Sequence, residues 1–148
     1  EGNSMIRIEE ISAEDTYPIR KDILRKNMSL SHVMHGDLDP ETLHLGVFVE
    51  EELVCVGSFM RTSLEGLTGL QYQLRGMAAT EENQGKGFGK LLLQKAELIL
   101  SDKGIQIIWC NARINAMEFY KKLGYQVMGK QFEVAEVGPH FKMYKALI

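Results

Sequence analysis

The most informative stretch of this sequence is Gln84-Gly85-Lys86-Gly87-Phe88-Gly89-Lys90-Leu91-Leu92. Its glycines can adopt backbone conformations that other residues avoid, and they let a ligand approach the main chain closely. Apolar residues then recur at helical spacing, at Phe88, Leu91, Leu92, Ala96 and Ile99, which predicts an amphipathic helix that ends at Gly104. A helix start presents unpaired N–H groups and the positive end of its dipole, so this turn is a candidate anion site. A glycine-rich turn without a ligand is the alternative.

Two common nucleotide-binding motifs do not fit this stretch. A Walker A loop needs Ser or Thr after its lysine, whereas Gly87 follows Lys86. A dinucleotide-binding turn needs the spacing G-x-G-x-x-G and an acidic residue about 20 positions further on. The spacing here is G-x-G-x-G, and the next predicted strand ends in Cys110-Asn111 without an acidic residue.

The rest of the chain predicts a mixed α and β architecture. Upstream of the glycines, the patterns predict a strand at residues 5–11, a helix capped by Ser12 or Asp15 that runs to about Met28, an irregular segment at 29–42, and strands at 43–49, 53–64 and 70–79. Downstream, a continuous apolar run at 105–110 predicts a strand covered on both faces. A helix at 115–123 follows, closed by Gly124, and then strands at 125–134 and 141–148 that turn at Gly138-Pro139.

This order predicts an α/β (α+β) domain with a mixed, largely antiparallel central sheet and flanking helices. The strand at 70–79, the helix after it and the strand at 105–110 form a right-handed crossover unit. Residues 1–4 precede Met5 and are expected to be a vector-derived remnant, so the single domain is expected to span residues 5–148.

Two motifs resemble those of the GNAT superfamily of N-acetyltransferases. Residues 84–89 match the family's acetyl-CoA pyrophosphate loop, Q/R-x-x-G-x-G/A, and residues 116–125 match its A-x-x-x-Y-x-K-x-G-F/Y pattern. The order of predicted elements also resembles the GNAT fold from Met5 onward. The chain is therefore identified as a member of this superfamily, with the acyl-CoA N-acyltransferase fold.

The resemblance implies an enzyme that moves the acetyl group of its cosubstrate, acetyl-CoA, directly to a primary amine of a small molecule or peptide. Tyr120, in the second motif, would protonate the leaving thiolate. Arg113 stands seven residues earlier, where many members carry an Asn that contacts CoA. The other residues implied to bind acetyl-CoA belong to the preceding strand and the glycine-rich turn: Met77, Ala78, Ala79, Gln84, Gly85, Lys86, Gly87, Phe88, Gly89 and Lys90.

Amine acetylation makes two physical demands on the site. An amine with a pKa of ~10 must lose a proton, and a thiolate whose pKa is about 8.5 must leave. Tyr120 is the candidate donor, with a core aromatic as the alternative. His140 is the candidate base, because its side chain titrates near neutral pH. A surface histidine in a turn is the alternative for His140, and Glu136 or a water chain could replace it as base.

Arg75 is a candidate for binding the acceptor. Side chains in a strand alternate between the two faces, so Arg75 is expected on the same face as Met77. A guanidinium can hold an acceptor carboxylate through two parallel hydrogen bonds. An ordinary surface arginine is the alternative.

Other chemistries receive less support from the sequence. Cys110 lies at a strand end, but a buried free cysteine usually serves packing. His32 and His35 could share a metal if they were helical, but no pattern of acidic residues or cysteines supports them, and no metal site is expected. A non-catalytic acyl-CoA-binding or interaction module on the same fold is the alternative function. Release of a free thiol in the presence of an acceptor would distinguish the enzyme from that module.

Composition argues against some partners and favours one cellular compartment. Lys and Arg number 17 against 20 Asp and Glu, a net charge of −3 without a dense basic cluster, so nucleic acid is not an expected partner. No apolar run approaches the ~20 residues that span a bilayer, and the first residues lack a signal-peptide pattern. Cys55 and Cys110 are far apart, which favours a reducing cytoplasm. Exposed sheet edges leave room for a homodimer.

Overall fold

The computed structural model describes residues 5–147. The first half of the chain forms β1 (Ile6–Glu10), α1 (Ala13–Ile19), a π-helical turn (Arg20–Leu24), β2 (Leu43–Val49), β3 (Glu52–Met60) and β4 (Gln71–Ala79). The second half forms α2 (Phe88–Asp102), β5 (Ile107–Arg113), α3 (Met117–Lys122), β6 (Gln126–Val134) and β7 (Gly138–Ala146). Short 3₁₀ turns at Glu81–Asn83 and Ile114–Ala116 precede α2 and α3. The assignment of residues 1–4 as a remnant falls outside the described residues.

The seven strands of residues 5–147 belong to one sheet, in the order β1-β2-β3-β4-β5-β7-β6. Within this range only β4 and β5 run parallel, as the two strands joined by the crossover helix α2. The other neighbouring pairs are antiparallel, and β7 lies between β5 and β6. The predicted fold class, a mixed and largely antiparallel sheet with flanking helices, is confirmed.

Helix α2 packs on one face of the sheet and shows one error in the predicted pattern. The helix starts at Phe88, and Gly104 follows its end with a φ of +85°. Its buried residues are Phe88, Leu92, Leu93, Ala96 and Leu100. Leu91, predicted to face the core, is 36% exposed. Three consecutive leucines fit two neighbouring stripes of a helix, so periodicity alone did not determine which of them is buried.

Several predicted boundaries are wrong where long-range pairing decides them. Strand β5 runs to Arg113 instead of Cys110, because its last residues pair with β7 up to the Arg113–His140 pair. The last hairpin turns at residues 135–137, where Glu136 has a φ of +70°, and Gly138-Pro139 begins β7. Strand β3 ends at Met60 instead of residue 64.

Helix α1 begins as predicted but ends early. The Ser12 side chain accepts a hydrogen bond from the Asp15 N–H, and the Asp15 carboxylate accepts one from the Ser12 N–H, which forms a capping box. The helix was predicted to reach about Met28, but it widens into a π turn after Ile19, and the π turn ends at Leu24. This turn carries Arg20, whose side chain is fully buried.

A buried ion pair joins this turn to the sheet and to the segment before β2. The Arg20 guanidinium donates to both carboxylate oxygens of Asp37 at 2.8 and 2.9 Å, and to the Ser58 hydroxyl of β3 at 2.9 Å. The Ser58 hydroxyl lies 2.6 Å from Nδ1 of His44, whose Nε2 lies 2.9 Å from the Asp37 carbonyl oxygen. Burial acts to raise the pKa of Asp37, but the hydrogen bonds from Arg20 and from the Met34 N–H outweigh it and hold that pKa below its usual value. The network therefore keeps Asp37 ionised.

Removing the cation from this pair should cost much of the protein's stability. Arg20→Met leaves the Asp37 carboxylate buried without its partner, and such a loss typically costs about 3–5 kcal/mol of unfolding free energy. Arg61→Met is the matched control, because Arg61 pairs with Glu41 on the surface, where an ion pair contributes ~0–1 kcal/mol. Urea denaturation of both variants measures the difference. Equal losses would show that the Arg20 pair has no special role.

Candidate active site

The parallel strands β4 and β5 separate in the middle of the sheet. Among the described residues their pairing runs from Gln71–Ile107 to Leu74–Cys110 and no further. Strand β4 nevertheless continues to Ala79 and β5 to Arg113. The main-chain groups of β4 beyond Leu74 that face β5 are therefore left without a strand partner, although the other edge of β4 still pairs with β3.

A bulge in β4 accompanies this separation. The pairing of β3 with β4 shifts register between Val56 and Ser58, and Gly76 lies there with a φ of +63°. A Cβ atom at Gly76 would lie 2.9 Å from Nε of Arg20. Glycine is thus required at this position both for the backbone conformation and for the space that the buried guanidinium occupies.

The bulge overturns the predicted placement of Arg75. Arg75 pairs with Ser58, whose side chain points to the α1 face and contacts Arg20. The Met77 side chain instead lies on the α2 face. A Cβ atom at Gly57 would be 3.6 Å from its Cγ, and one at Gly89, in α2, would be 3.7 Å from its Cε. The extra residue of a bulge reverses the alternation of side chains, so Arg75 and Met77 lie on opposite faces.

A cavity of about 340 Å³ occupies the opening between the two strands. Five of the predicted site residues line it: Arg75, Met77, Arg113, Tyr120 and His140. Sequence reasoning missed its further lining residue Arg25, which follows the π turn. The irregular segment and the last hairpin add apolar side chains from both sides, namely Leu30, Met34, Val134 and Val137.

Tyr120 reaches the cavity from α3. The residue is 8% exposed, and its ring forms edge-to-face contacts with Phe119 and Tyr125, at centroid distances of 5.0 and 5.7 Å. Burial, together with the adjacent Cys110 thiol, raises the pKa of Tyr120 well above its usual value. The phenol therefore keeps its proton at neutral pH, as a proton donor must. Burial raises the pKa of Cys110 itself to about 12, which leaves it an unreactive thiol.

His140 lies in β7, opposite Arg113 of β5. It is only 6% exposed, so the alternative of a surface histidine in a turn is wrong. Its Nδ1 lies 2.8 Å from the carbonyl oxygen of Gly138, which can only accept a hydrogen bond. Nδ1 consequently carries the hydrogen of the neutral ring, and Nε2 retains the lone pair that a base needs.

Glu136, the other candidate base, is directed elsewhere. It lies exposed at the tip of the last hairpin. Its two carboxylate oxygens accept hydrogen bonds from the Ser29 N–H and hydroxyl, at 3.0 and 2.9 Å. This contact ties the irregular segment to the hairpin across the cavity.

The glycine-rich turn forms a separate part of the site, outside the lining of the cavity. Gly85 and Gly87 have φ values of +76° and +86°, and a Cβ at either position would meet no described atom within 4 Å apart from the adjoining residues. The first main-chain hydrogen bond of α2 runs from the Leu91 N–H to the Gly87 carbonyl oxygen, so the N–H groups before Leu91 open onto this free space. The exposed side chains of Lys86 and Lys90 add positive charge. This geometry suits a phosphate group.

The remaining predicted residues lie at the end of β4, in the turn and at the start of α2. Gln84 donates from Nε2 to the Ala79 carbonyl oxygen at 3.1 Å, which fixes the start of the turn to the end of β4. Ala78 packs with Ile19 and Val56 on the α1 face. Phe88 is buried in the core under α2, so only its main chain faces the turn. A Cβ at Gly89 would lie 3.5 Å from the Phe119 ring, where α2 approaches α3.

Neither a metal site nor a membrane helix emerges from the described residues. His32 lies in an irregular segment with its ring 5.3 Å from that of Tyr17. Residues 5–147 contain no group of three His, Cys, Asp or Glu side chains arranged to hold a metal ion. No helix in the same range has both the length and the apolar character needed to cross a bilayer.

Comparison with known proteins assigns the family. The sequence pattern of the acetyltransferase (GNAT) domain matches residues 9–147. The chain is 39% identical over 145 residues to the uncharacterized N-acetyltransferase YitI of Bacillus subtilis (strain 168), an alignment that covers 97% of each chain. This protein therefore belongs to the GNAT superfamily of N-acetyltransferases, as its two motifs predicted.

Solved structures agree on the fold. A putative N-acetyltransferase from Lactobacillus plantarum superimposes with a TM-score of 0.81 at 17% identity, over 97% of this chain and 99% of the other. An aminoglycoside 6'-N-acetyltransferase complexed with coenzyme A superimposes with a TM-score of 0.77, also at 17% identity, over 96% of this chain and 97% of the other. At such identities the likeness establishes the architecture alone.

A methyl group at the bulge should disturb this site more than one at a comparable glycine. Gly76→Ala and Gly129→Ala both place a side chain at positive φ, +63° and +83°, which costs about 1–2 kcal/mol. Only the Gly76 variant also meets the Arg20 guanidinium, which its hydrogen bonds prevent from moving aside, whereas the space around Gly129 is open. We expect Gly76→Ala to lose at least ~1 kcal/mol more in urea denaturation. Equal losses would mean that the bulge tolerates a side chain.

Proposed function

We propose that this protein is an acetyl-CoA-dependent N-acetyltransferase that moves the acetyl group directly to a primary amine of its acceptor. The observation that carries the proposal is the opening between β4 and β5, where Tyr120 and His140 line one cavity. An acyl thioester can enter this opening from the α2 face and an amine from the α1 face. Two groups capable of proton transfer then meet the reacting atoms.

The cosubstrate would bind along the α2 side of the opening. The turn at residues 84–90, with its open N–H groups and two lysines, suits the pyrophosphate of CoA. The main-chain groups of β4 from Arg75 to Ala79 that β5 leaves free can pair with the amides of the pantetheine arm, as a neighbouring strand would. The aminoglycoside 6'-N-acetyltransferase that shares this fold is complexed with coenzyme A, which supports CoA as the carrier.

The chemistry requires one proton acceptor and one proton donor. Nε2 of His140 would take a proton from the ammonium group of the acceptor, so that the free amine can attack the carbonyl carbon of the thioester. As the C–N bond forms and the C–S bond breaks, the Tyr120 hydroxyl would give its proton to the leaving sulfur. The second proton of the attacking nitrogen would then leave as the amide forms and restore the Tyr120 hydroxyl, while the proton on His140 passes to solvent. The products are an N-acetyl amine and CoA with a free thiol. The presence of both groups in one cavity favours this enzyme over a module that only binds acyl-CoA.

The proposal also includes a cytoplasmic location and a possible homodimer. Cys55 and Cys110 are buried free thiols, as suits a reducing cytoplasm. Strands β1 and β6 form the two edges of the sheet, where a homodimer would find unpaired main-chain groups.

Acetyl-CoA should bind to the glycine-rich turn and raise the melting temperature, because a ligand that binds only the native state stabilises it, by about 2.7 kcal/mol at 100 times its Kd. Gly87→Val should weaken this binding roughly tenfold or more, equivalent to ~1.4 kcal/mol, by filling the space in front of the N–H groups. Titration calorimetry below the melting temperature measures the Kd.

Gly104→Val is the matched control, since Gly104 ends the same helix with nearly the same φ and equally open surroundings. Both variants should lose stability, but the control should bind acetyl-CoA like the wild type. The placement of the cosubstrate is wrong if the two variants bind it equally.

The Tyr120 hydroxyl should carry the donor role. Tyr120→Phe keeps the ring and removes the proton, so kcat should fall by about 10²–10⁴-fold while the Kd for acetyl-CoA stays within a few-fold. Tyr125→Phe is the control, because it removes another buried hydroxyl from the same aromatic cluster, one that donates to Glu97 at 2.9 Å. That variant should lose about 1 kcal/mol of stability and keep its kcat.

The rate of thiol release during acetylation gives kcat for each variant. A wild-type kcat in Tyr120→Phe, under conditions where chemistry limits the rate, would make Tyr120 a packing residue.

A further inference from the structure

We propose that the acceptor is an amine that also carries an anionic group, a carboxylate or a phosphate monoester, held by Arg25, Arg75 and Arg113. This inference rests on the proposed function and names the substrate class of the same site. It also moves Arg113 from the cosubstrate, where the family resemblance placed it, to the acceptor.

The three arginines come from separate elements and meet at one cavity. Arg25 follows the π turn, Arg75 lies just before the bulge of β4, and Arg113 ends β5. All three side chains are partly buried and line the opening. The residues of the described chain that line this cavity include no Asp or Glu.

The protein leaves this positive charge unbalanced. Among residues 5–147, none of the three guanidinium groups has a carboxylate within salt-bridge distance. Burial, and then the charges of Arg75, Arg113 and Arg20, lower the pKa of Arg25. Burial and the charge of Arg20 likewise lower the pKa of Arg75, against a weaker opposing effect of Asp37. Three partly buried cations in one cavity repel one another, and an anionic ligand would relieve that repulsion.

Acidic groups near the cavity are already engaged. Asp37 gives both oxygens to Arg20, and Glu136 gives both to Ser29. Within residues 5–147, Arg25 donates only to main-chain carbonyl oxygens, from Nε to Ser31 and from Nη1 to Leu24, which hold its guanidinium at the edge of the cavity. The hydrogen bonds that hold Arg20 to Asp37 and Ser58 thus do not include Arg25, Arg75 or Arg113. These three arginines are available to a ligand.

The chemistry of the cluster selects the acceptor. A planar guanidinium matches the oxygens of a carboxylate or phosphate with two parallel hydrogen bonds. A polycation such as an aminoglycoside would be repelled by three arginines in a site without an acidic residue. This protein is therefore not expected to acetylate aminoglycosides, although it shares the fold of the aminoglycoside 6'-N-acetyltransferase.

Matched pairs of primary amines test the charge requirement in the wild-type protein. One pair is O-phosphoethanolamine and ethanolamine, and the other is β-alanine and β-alaninamide; kanamycin serves as the polycation. Each amine is supplied with acetyl-CoA, and thiol release gives kcat/KM. We expect the anionic member of at least one pair to exceed its neutral partner at least tenfold, and the pair that responds tells phosphate from carboxylate.

Arg75→Gln and Arg113→Gln test the residues. Each should reduce the preference for the anionic member at least tenfold by raising its KM. Because each removes a charge that has no partner, neither should lower the melting temperature in anion-free buffer, unlike the loss of a residue that serves packing. Arg61→Gln, a surface arginine paired with Glu41, should keep the preference of the wild type.

A binding measurement separates this inference from the proposed function. Inorganic phosphate or glutarate is titrated by calorimetry without acetyl-CoA, in proteins that carry Gly87→Val to remove anion binding at the glycine-rich turn. Both anions should bind the protein with Arg75 intact and bind its Arg75→Gln counterpart at least tenfold more weakly. If no amine is acetylated but the anions bind in this way, the anion site stands and the proposed function fails. If amines are acetylated with no preference for an anionic group, or if the anions bind both proteins equally, the inference is overturned while the transferase remains.

Discussion

The buried ion pair between Arg20 and Asp37 joins the π turn, the irregular segment before β2 and the sheet on the α1 side. Arg20 holds Asp37, and Asp37 in turn accepts a hydrogen bond from the Met34 N–H, so the irregular segment before β2 is fixed by a charge buried beneath it. The same guanidinium fills the space that a side chain at position 76 would need. The π turn, the irregular segment and the bulge of β4 thus depend on one another. Because a buried charge without its partner is costly, this arrangement has few alternatives.

The bulge at Gly76 divides the site into two sides. Before it, β4 pairs with β5, and after it the strands part, which opens the sheet at its centre. By reversing the alternation of side chains, it directs Arg75 towards the α1 side and Met77 towards α2. The α2 side then offers main-chain groups and small residues, which suit a ligand common to a whole family. The α1 side offers charged side chains from separate elements, which suit a particular acceptor.

Local patterns predicted those elements around the candidate site whose structure depends on neighbouring residues in the chain. The glycine-rich turn, the start and end of α2 and the short helix with Tyr120 depend on neighbouring residues, so their glycines and apolar spacing were sufficient. Other features depend on contacts between distant parts of the chain, which no local pattern encodes. The position of Arg25 follows from the π turn, and the burial of His140 and the end of β5 follow from the pairing of β5 with β7. The face of Arg75 was predicted wrongly for the same reason, since strict alternation assumes a regular strand. Gly76 was the single residue in β4 that could have signalled the bulge.

The proposal places the cosubstrate and the acceptor on different sides of the opening. A protein can therefore share the fold of this chain without sharing its acceptor. Structures at 17% identity share the architecture with it, and that architecture supplies the opening, the helix start and the free edge of β4. None of these features is built from the side chains of Arg25, Arg75 or Arg113. In the proposal made above, the acceptor is instead selected by the charge of Arg25, Arg75 and Arg113, since the nearby carboxylates of Asp37 and Glu136 are hydrogen-bonded elsewhere. A relative that keeps the glycine-rich turn but places an acidic residue at any of these three positions would keep its cosubstrate and change its acceptor.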